Sequence, residues 1–224
     1  MLVRGLYEDG RLAMAMFSIK RFFLKLVRKS RQTHGRPNFA ALYKKGAFAD
    51  AYAALCDMMK NPPRWAAEDG DLYTLWAELE LLANEDAPRA LQLLDKARQI
   101  GCSKMGYYYS TLAQAMWKTG NHEMSVRYLE KSVEADPSVI HLVQLGQVLW
   151  HLDDQRATAI WRRVLEKDPK NCLSHIYVGL EAAKSGDRGK ALLMAKRAER
   201  LNPSDDDIFE IGRLYTMRER SKVL

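Results

Sequence analysis

The chain has 224 residues, 47% of them apolar, and a formal net charge of +7. That is enough apolar material to bury a continuous core, and long strand-like runs of Val, Ile and Thr are absent, so an all-α fold is expected. No stretch reaches the roughly 18–20 apolar residues that cross a bilayer, and Cys56, Cys102 and Cys172 form no CxxC pair, so they read as packing residues of a reducing compartment.

The charge is segregated. Residues 1–45 carry eleven Lys and Arg against two Asp and Glu, a balance of +9, and the remainder balances at −2. Leu12, Met16, Ile19, Phe23 and Leu26 recur at helical spacing and form one apolar stripe, widened by Phe22 and Val27. Arg21, Lys25 and Arg28 lie opposite, flanked by Lys20, Lys29 and Arg31. Residues 1–35 are thus expected to hold a basic amphipathic helix. Its docking residues would be Lys20, Arg21, Phe22, Phe23, Lys25, Leu26, Arg28 and Lys29. Such a helix suits an anionic membrane surface, a groove on a partner, or the end of the chain's own helical stack. Near an anionic leaflet six cations give an upper bound of roughly 6 kcal/mol. The apolar run before Lys20 spans only eight residues and follows Glu8, Asp9 and Arg11, which argues against a secretory signal and for a cytoplasmic protein, with peripheral attachment at the inner face of a membrane open to it.

Helical hairpins follow in series. FAALYKKGAFADAYAALCDMMKNPP places Gly46 at a turn and Ala51 and Leu55 on a second helix, and Pro62-Pro63 stops it before a linker, RWAAEDG. LYTLWAELELLANEDAPRALQLLDKARQIG sets Ala77, Leu81, Ala90, Leu94 and Ala97 at helical spacing, with Gly101 as a stop. Then EADP, EKDP and RLNP close three units at Pro137, Pro169 and Pro203, 32 and 34 residues apart. Small residues recur where helices touch: Ala113, Ser125 and Ser132 in one unit, Gly179, Ala182, Ala191 and Ala198 in the last. In the middle unit Ala157, Trp161 and Val164 come one residue early, which places a deletion in HLDDQ, a turn without glycine. Trp161 fills the slot that Leu129 and Ala195 take in the neighbouring units, so that helix pair is expected to be wider. Residues 204–224 open with Asp205-Asp206-Asp207 and carry Ile208, Ile211, Leu214 and Tyr215, as one capping helix would.

A period near 34 with this pattern of small and large residues resembles the tetratricopeptide repeat (TPR), most closely in YVGLEAAKSGDRGKALLMAKRAERLNP. The resemblance implies a right-handed α-solenoid of about five repeats over 36–203, the first two degenerate. In that family the first helix of each pair lines a concave face. Carried onto this sequence, the face comprises Tyr107, Ser110, Gln114 and Trp117, then Ile140, Val143, Gln147 and Trp150, then Ile176. Tryptophans with glutamines between them suit an extended or helical peptide. Leu72, Leu75, Leu79 and Leu82 fall at the same positions but read as core or as a self-association surface. The lysine, asparagine and arginine clamp by which some relatives hold a chaperone's terminal carboxylate has no counterpart at Ser110, Thr111, Val143, Gln144, Ile176 and Tyr177.

Catalysis leaves no matching signature. GDRGK at 186–190 lacks the strand and spacing of a phosphate loop, and the five histidines include no HExxH. Asp153-Asp154 and Asp205–Asp207 read as turn and helix-start residues. No enzyme and no cofactor are expected. The leading expectation is a scaffold that binds a protein partner in its groove, with a place at a membrane-associated assembly, for example an envelope biogenesis, secretion or polysaccharide machinery, open to it. A homo-oligomer using the N-terminal helix in a neighbour's groove is the alternative. RNA binding through the basic front ranks last, since the phenylalanines of that helix lie on its apolar stripe and not among its cations.

Overall fold

The structure, a computed structural model, describes residues 39–201. The basic segment at 20–29, the boundary at residue 35 and the capping helix expected at 204–224 lie outside the described residues. Among those described there are eleven helices and no strand. The helices are α1 Phe39–Lys44, α2 Phe48–Lys60, α3 Arg64–Ala67, α4 Gly70–Ala83, α5 Ala87–Ile100 and α6 Met105–Lys118. Then come α7 His122–Ala135, α8 Val139–His151, α9 Arg156–Lys167, α10 Cys172–Ser185 and α11 Arg188–Leu201. The chain divides into two compact units, Met1–His141 and Leu142–Leu224, the division falling within α8.

One local code builds every hairpin. The turn between its helices holds a residue of positive φ: Gly46 at 79°, Glu85 at 59°, Gly120 at 80°, Asp153 at 53° and Gly186 at 84°. At four of the five, the next residue sends its N–H back to a carbonyl five residues earlier, as Asn121 does to Met116 and Asp187 to Ala182. This closes the first helix in the Schellman manner. At three of the five turns the residue after the left-handed one caps the second helix. Asp86 accepts from the Arg89 N–H at 2.9 Å, Asn121 from Met124 at 3.2 Å and Asp187 from Lys190 at 3.0 Å. Each such cap contributes about 1 kcal/mol.

Packing follows the small residues. On the second helices, Ala90 with Ala97, Ser125 with Ser132, Ala157 with Val164, and Ala191 with Ala198 lie two turns apart, and all are buried. In the first unit Leu72, Leu75 and Leu79 are fully buried with Ala51 and Leu55, so three of the four leucines flagged in the sequence are core. Leu82 packs half-buried beside them.

Two expectations change. The segment RWAAEDG is not only linker: Pro63 opens the short helix α3, whose Ala66 is fully buried. Fixed at φ −63°, Pro63 stands where proline is well tolerated, just ahead of a helix. The turn HLDDQ keeps its left-handed position without glycine, because Asp153 occupies it. Aspartate is among the residues that visit this region most readily. The missing residue falls after that position, at the start of α9, which is 12 residues long against 14 for α7 and α11.

Candidate partner-binding site

In the first unit the predicted face lies on α6, and much of it is turned inward. Tyr107 is buried, and its hydroxyl donates to Glu78 Oε2 on α4 at 2.5 Å. Tyr43 on α1 donates to the same oxygen at 3.0 Å, so one carboxylate ties three helices. Glu78 is only 2% exposed, and burial pushes its carboxyl up to about 7 although both tyrosines act to lower it. Burial, then the Glu78 charge, hold both tyrosine hydroxyls above their ordinary range. Ser110 is buried too and donates to the Tyr107 carbonyl at 3.0 Å. Gln114 and Trp117 stay half-buried, with the Trp117 ring 4.1 Å from that of His122. Ile140, at the start of α8, is half-buried as well.

In the second unit Val143 and Trp150 are half-buried on α8. Gln147 between them is 7% exposed, and its Oε1 has no hydrogen-bond partner. Trp150 meets Tyr177 edge-on at 5.2 Å, and Tyr177 stacks on Trp161 at 4.4 Å and 9°. Lys184 Nζ lies 4.1 Å from the Trp150 ring centre and 3.3 Å from Asp153 Oδ1. Ile176 is fully buried against Leu180, Ala191 and Ala198, so it packs the repeat instead of facing outward.

No protein-family model matches the sequence, and no curated protein matches it. Solved structures do. YrrB, described as a TPR protein with an unusual peptide-binding site, superposes with a TM-score of 0.55 at 19% identity, over 85% of this chain and 97% of that one. MamA superposes with a TM-score of 0.57 at 15% identity, covering 74% and 94%. A MamA chain from Desulfovibrio magneticus RS-1 gives 0.56 at 17% identity, covering 86% and 99%. The chain has the tetratricopeptide-repeat fold.

The TPR frame separates the predicted residues by role. Tyr107, Ser110 and Ile176 stand at first-helix positions yet direct their side chains into the protein. Gln114, Trp117, Ile140, Val143 and Trp150 keep surface to offer, and Gln147 keeps an unspent acceptor. Thr111, at a clamp position of carboxylate-binding TPR proteins, donates to the Tyr107 carbonyl at 3.1 Å.

Three residues escaped the sequence reading. Glu78 sits within the apolar run LWAELELLA, and that setting was its one signal. Asp153 reads as a turn residue and Lys184 carries no signal in the sequence; only the fold brings Lys184 to both Trp150 and Asp153.

The remaining candidates are structural. His175 Nε2 lies 2.9 Å from the Pro169 carbonyl. The Cys102 thiol donates to the Ala97 carbonyl at 3.3 Å, and burial, the largest influence on it, pushes it upward. No group of three or more metal-ligating side chains, and no helix long and apolar enough to cross a membrane, occurs among the described residues.

Proposed function

We propose that this protein is a non-catalytic scaffold that holds a peptide or helix of a partner protein on the first helices of its TPR hairpins. One observation carries the reading. Gln147 Oε1 is buried and unpaired, one helical turn from the half-exposed Trp150. An unsatisfied buried acceptor costs about 1–3 kcal/mol. Rotated outward, the Gln147 amide would take up the N–H of a bound chain and recover that cost, while the indole takes up its apolar side chain. The peptide-binding site named for YrrB, a protein of similar fold, supports the same reading.

The test is partner capture with the wild type beside Gln147→Ala/Trp150→Ala, both checked for equal thermal midpoints. A partner held by the wild type, lost by the variant and rebound as a purified pair supports the proposal. A folded variant that retains every partner removes it.

A further inference from the structure

Trp150, Asp153 and Lys184 form a closed set at the C-terminal end of α8. The Lys184 ammonium is held twice, by the indole face at 4.1 Å and by the carboxylate at 3.3 Å. The platform beneath it is fixed, because Trp150 leans on Tyr177 and Tyr177 stacks on the fully buried Trp161. Its occupant lies within reach of solvent. The Lys184 side chain is 42% exposed and that of Asp153 90%.

The first unit offers a comparison. There Glu85, the left-handed turn residue of its hairpin, pairs with Lys118 of the next hairpin at 3.7 Å, as Asp153 pairs with Lys184. Three residues before Glu85 stands Leu82, where Trp150 precedes Asp153. At that junction the ion pair forms with a leucine in place of the indole. Trp150 is an addition to that ion pair, and an indole beside a carboxylate has the chemistry of a cation receptor.

We propose that the Trp150 ring and the Asp153 carboxylate receive a lysine or arginine side chain of the bound partner segment, and that Lys184 is the resident placeholder it displaces. This rests on the scaffold reading above and names the chemistry of the ligand. A guanidinium fits best, since it is planar, stacks on the indole and leaves N–H groups for the carboxylate. Lys184 supplies an internal competitor, so an incoming cation must exceed a lysine already in place. Weakly basic or neutral segments are thereby disfavoured.

The experiment selects phage-displayed random peptides on the full chain and measures affinities of the recovered sequences as synthetic peptides. A recurrent Arg or Lys is expected among them. Trp150→Leu should weaken such peptides on the order of tenfold, and Asp153→Asn about threefold. Asn suits this test because it also tolerates the left-handed backbone, φ 53° at Asp153. Lys184→Gln should tighten binding about twofold to threefold, since the competitor is gone. Should Trp150→Leu not fold, the Asp153 and Lys184 variants decide alone. Peptides that bind, respond to Gln147→Ala and lack a required basic residue would overturn this inference and leave the scaffold reading intact. Recovery of no peptide, or of peptides indifferent to Gln147→Ala as well, would overturn both.

Discussion

The indole of Trp161 packs on the backbone of Gly146, so that a Cβ there would stand 2.9 Å from Cε2 and 3.0 Å from Cζ2. Trp161 is fully buried, with Tyr177 stacked on its ring. A side chain larger than usual at this place thus meets a glycine on the facing helix. Gly146→Ala should destabilise the chain by about 1–2 kcal/mol, the overpacking cost outweighing the helix preference of alanine. Urea unfolding measures it, and an alanine variant at least as stable as the wild type would show that the contact yields.

Glu78 makes stability depend on pH in a direction opposite to that of most carboxylates. Its ordinary value is 4.5 and its folded value about 7, so the folded chain binds this proton more tightly than the unfolded chain. The stabilisation is complete below about pH 4.5, falls as pH rises through the window and is lost above about 7, amounting to about 3 kcal/mol. Glu78→Gln should flatten that slope. Denaturant midpoints of both proteins across the window measure it; parallel profiles would refute the assignment to Glu78.

Two nearby glycines should respond to alanine with opposite sign. Gly186 has φ 84° at the turn, where an L-residue is strained, so Gly186→Ala should cost about 1 kcal/mol. Gly189 lies within α11, and a Cβ there would meet only Asp187 Oδ1, at 3.8 Å. Gly189→Ala should therefore add about 0.5 kcal/mol. Thermal midpoints of the pair decide it.

The basic front segment predicts a lipid effect of its own. With +9 over residues 1–45, the full chain should float with anionic vesicles, and a version lacking residues 1–31 should not. Added salt should weaken flotation, because exposed charges are screened. Equal flotation of both versions would exclude docking by this segment. Light scattering on the same pair reads self-assembly separately: an oligomer lost with no change in lipid binding would assign the segment to a neighbouring copy.

The hairpins were legible because their code is local and repeated. A helix ends at a left-handed residue, an Asp or Asn follows, and small residues recur two turns apart; Gly120, Asn121, Ser125 and Ser132 can all be read from neighbours in sequence. The third hairpin from the end, and the last, needed nothing more. Asp153 was harder, since an aspartate in a turn does not announce positive φ. The short helix α3 was missed because four residues carry no periodicity, and Ala66 is buried only by what packs over it.

The amino-acid order alone determined that this chain forms paired helices, where they turn and which small residues let them touch, since each depends on groups a few residues apart. Tertiary structure decided which first-helix side chains are spent inside and which remain to offer. Tyr107 turns to Glu78 across 29 residues, and Lys184 reaches Trp150 and Asp153 from the next hairpin. Such choices depend on distances between helices, and no periodicity along one chain records them.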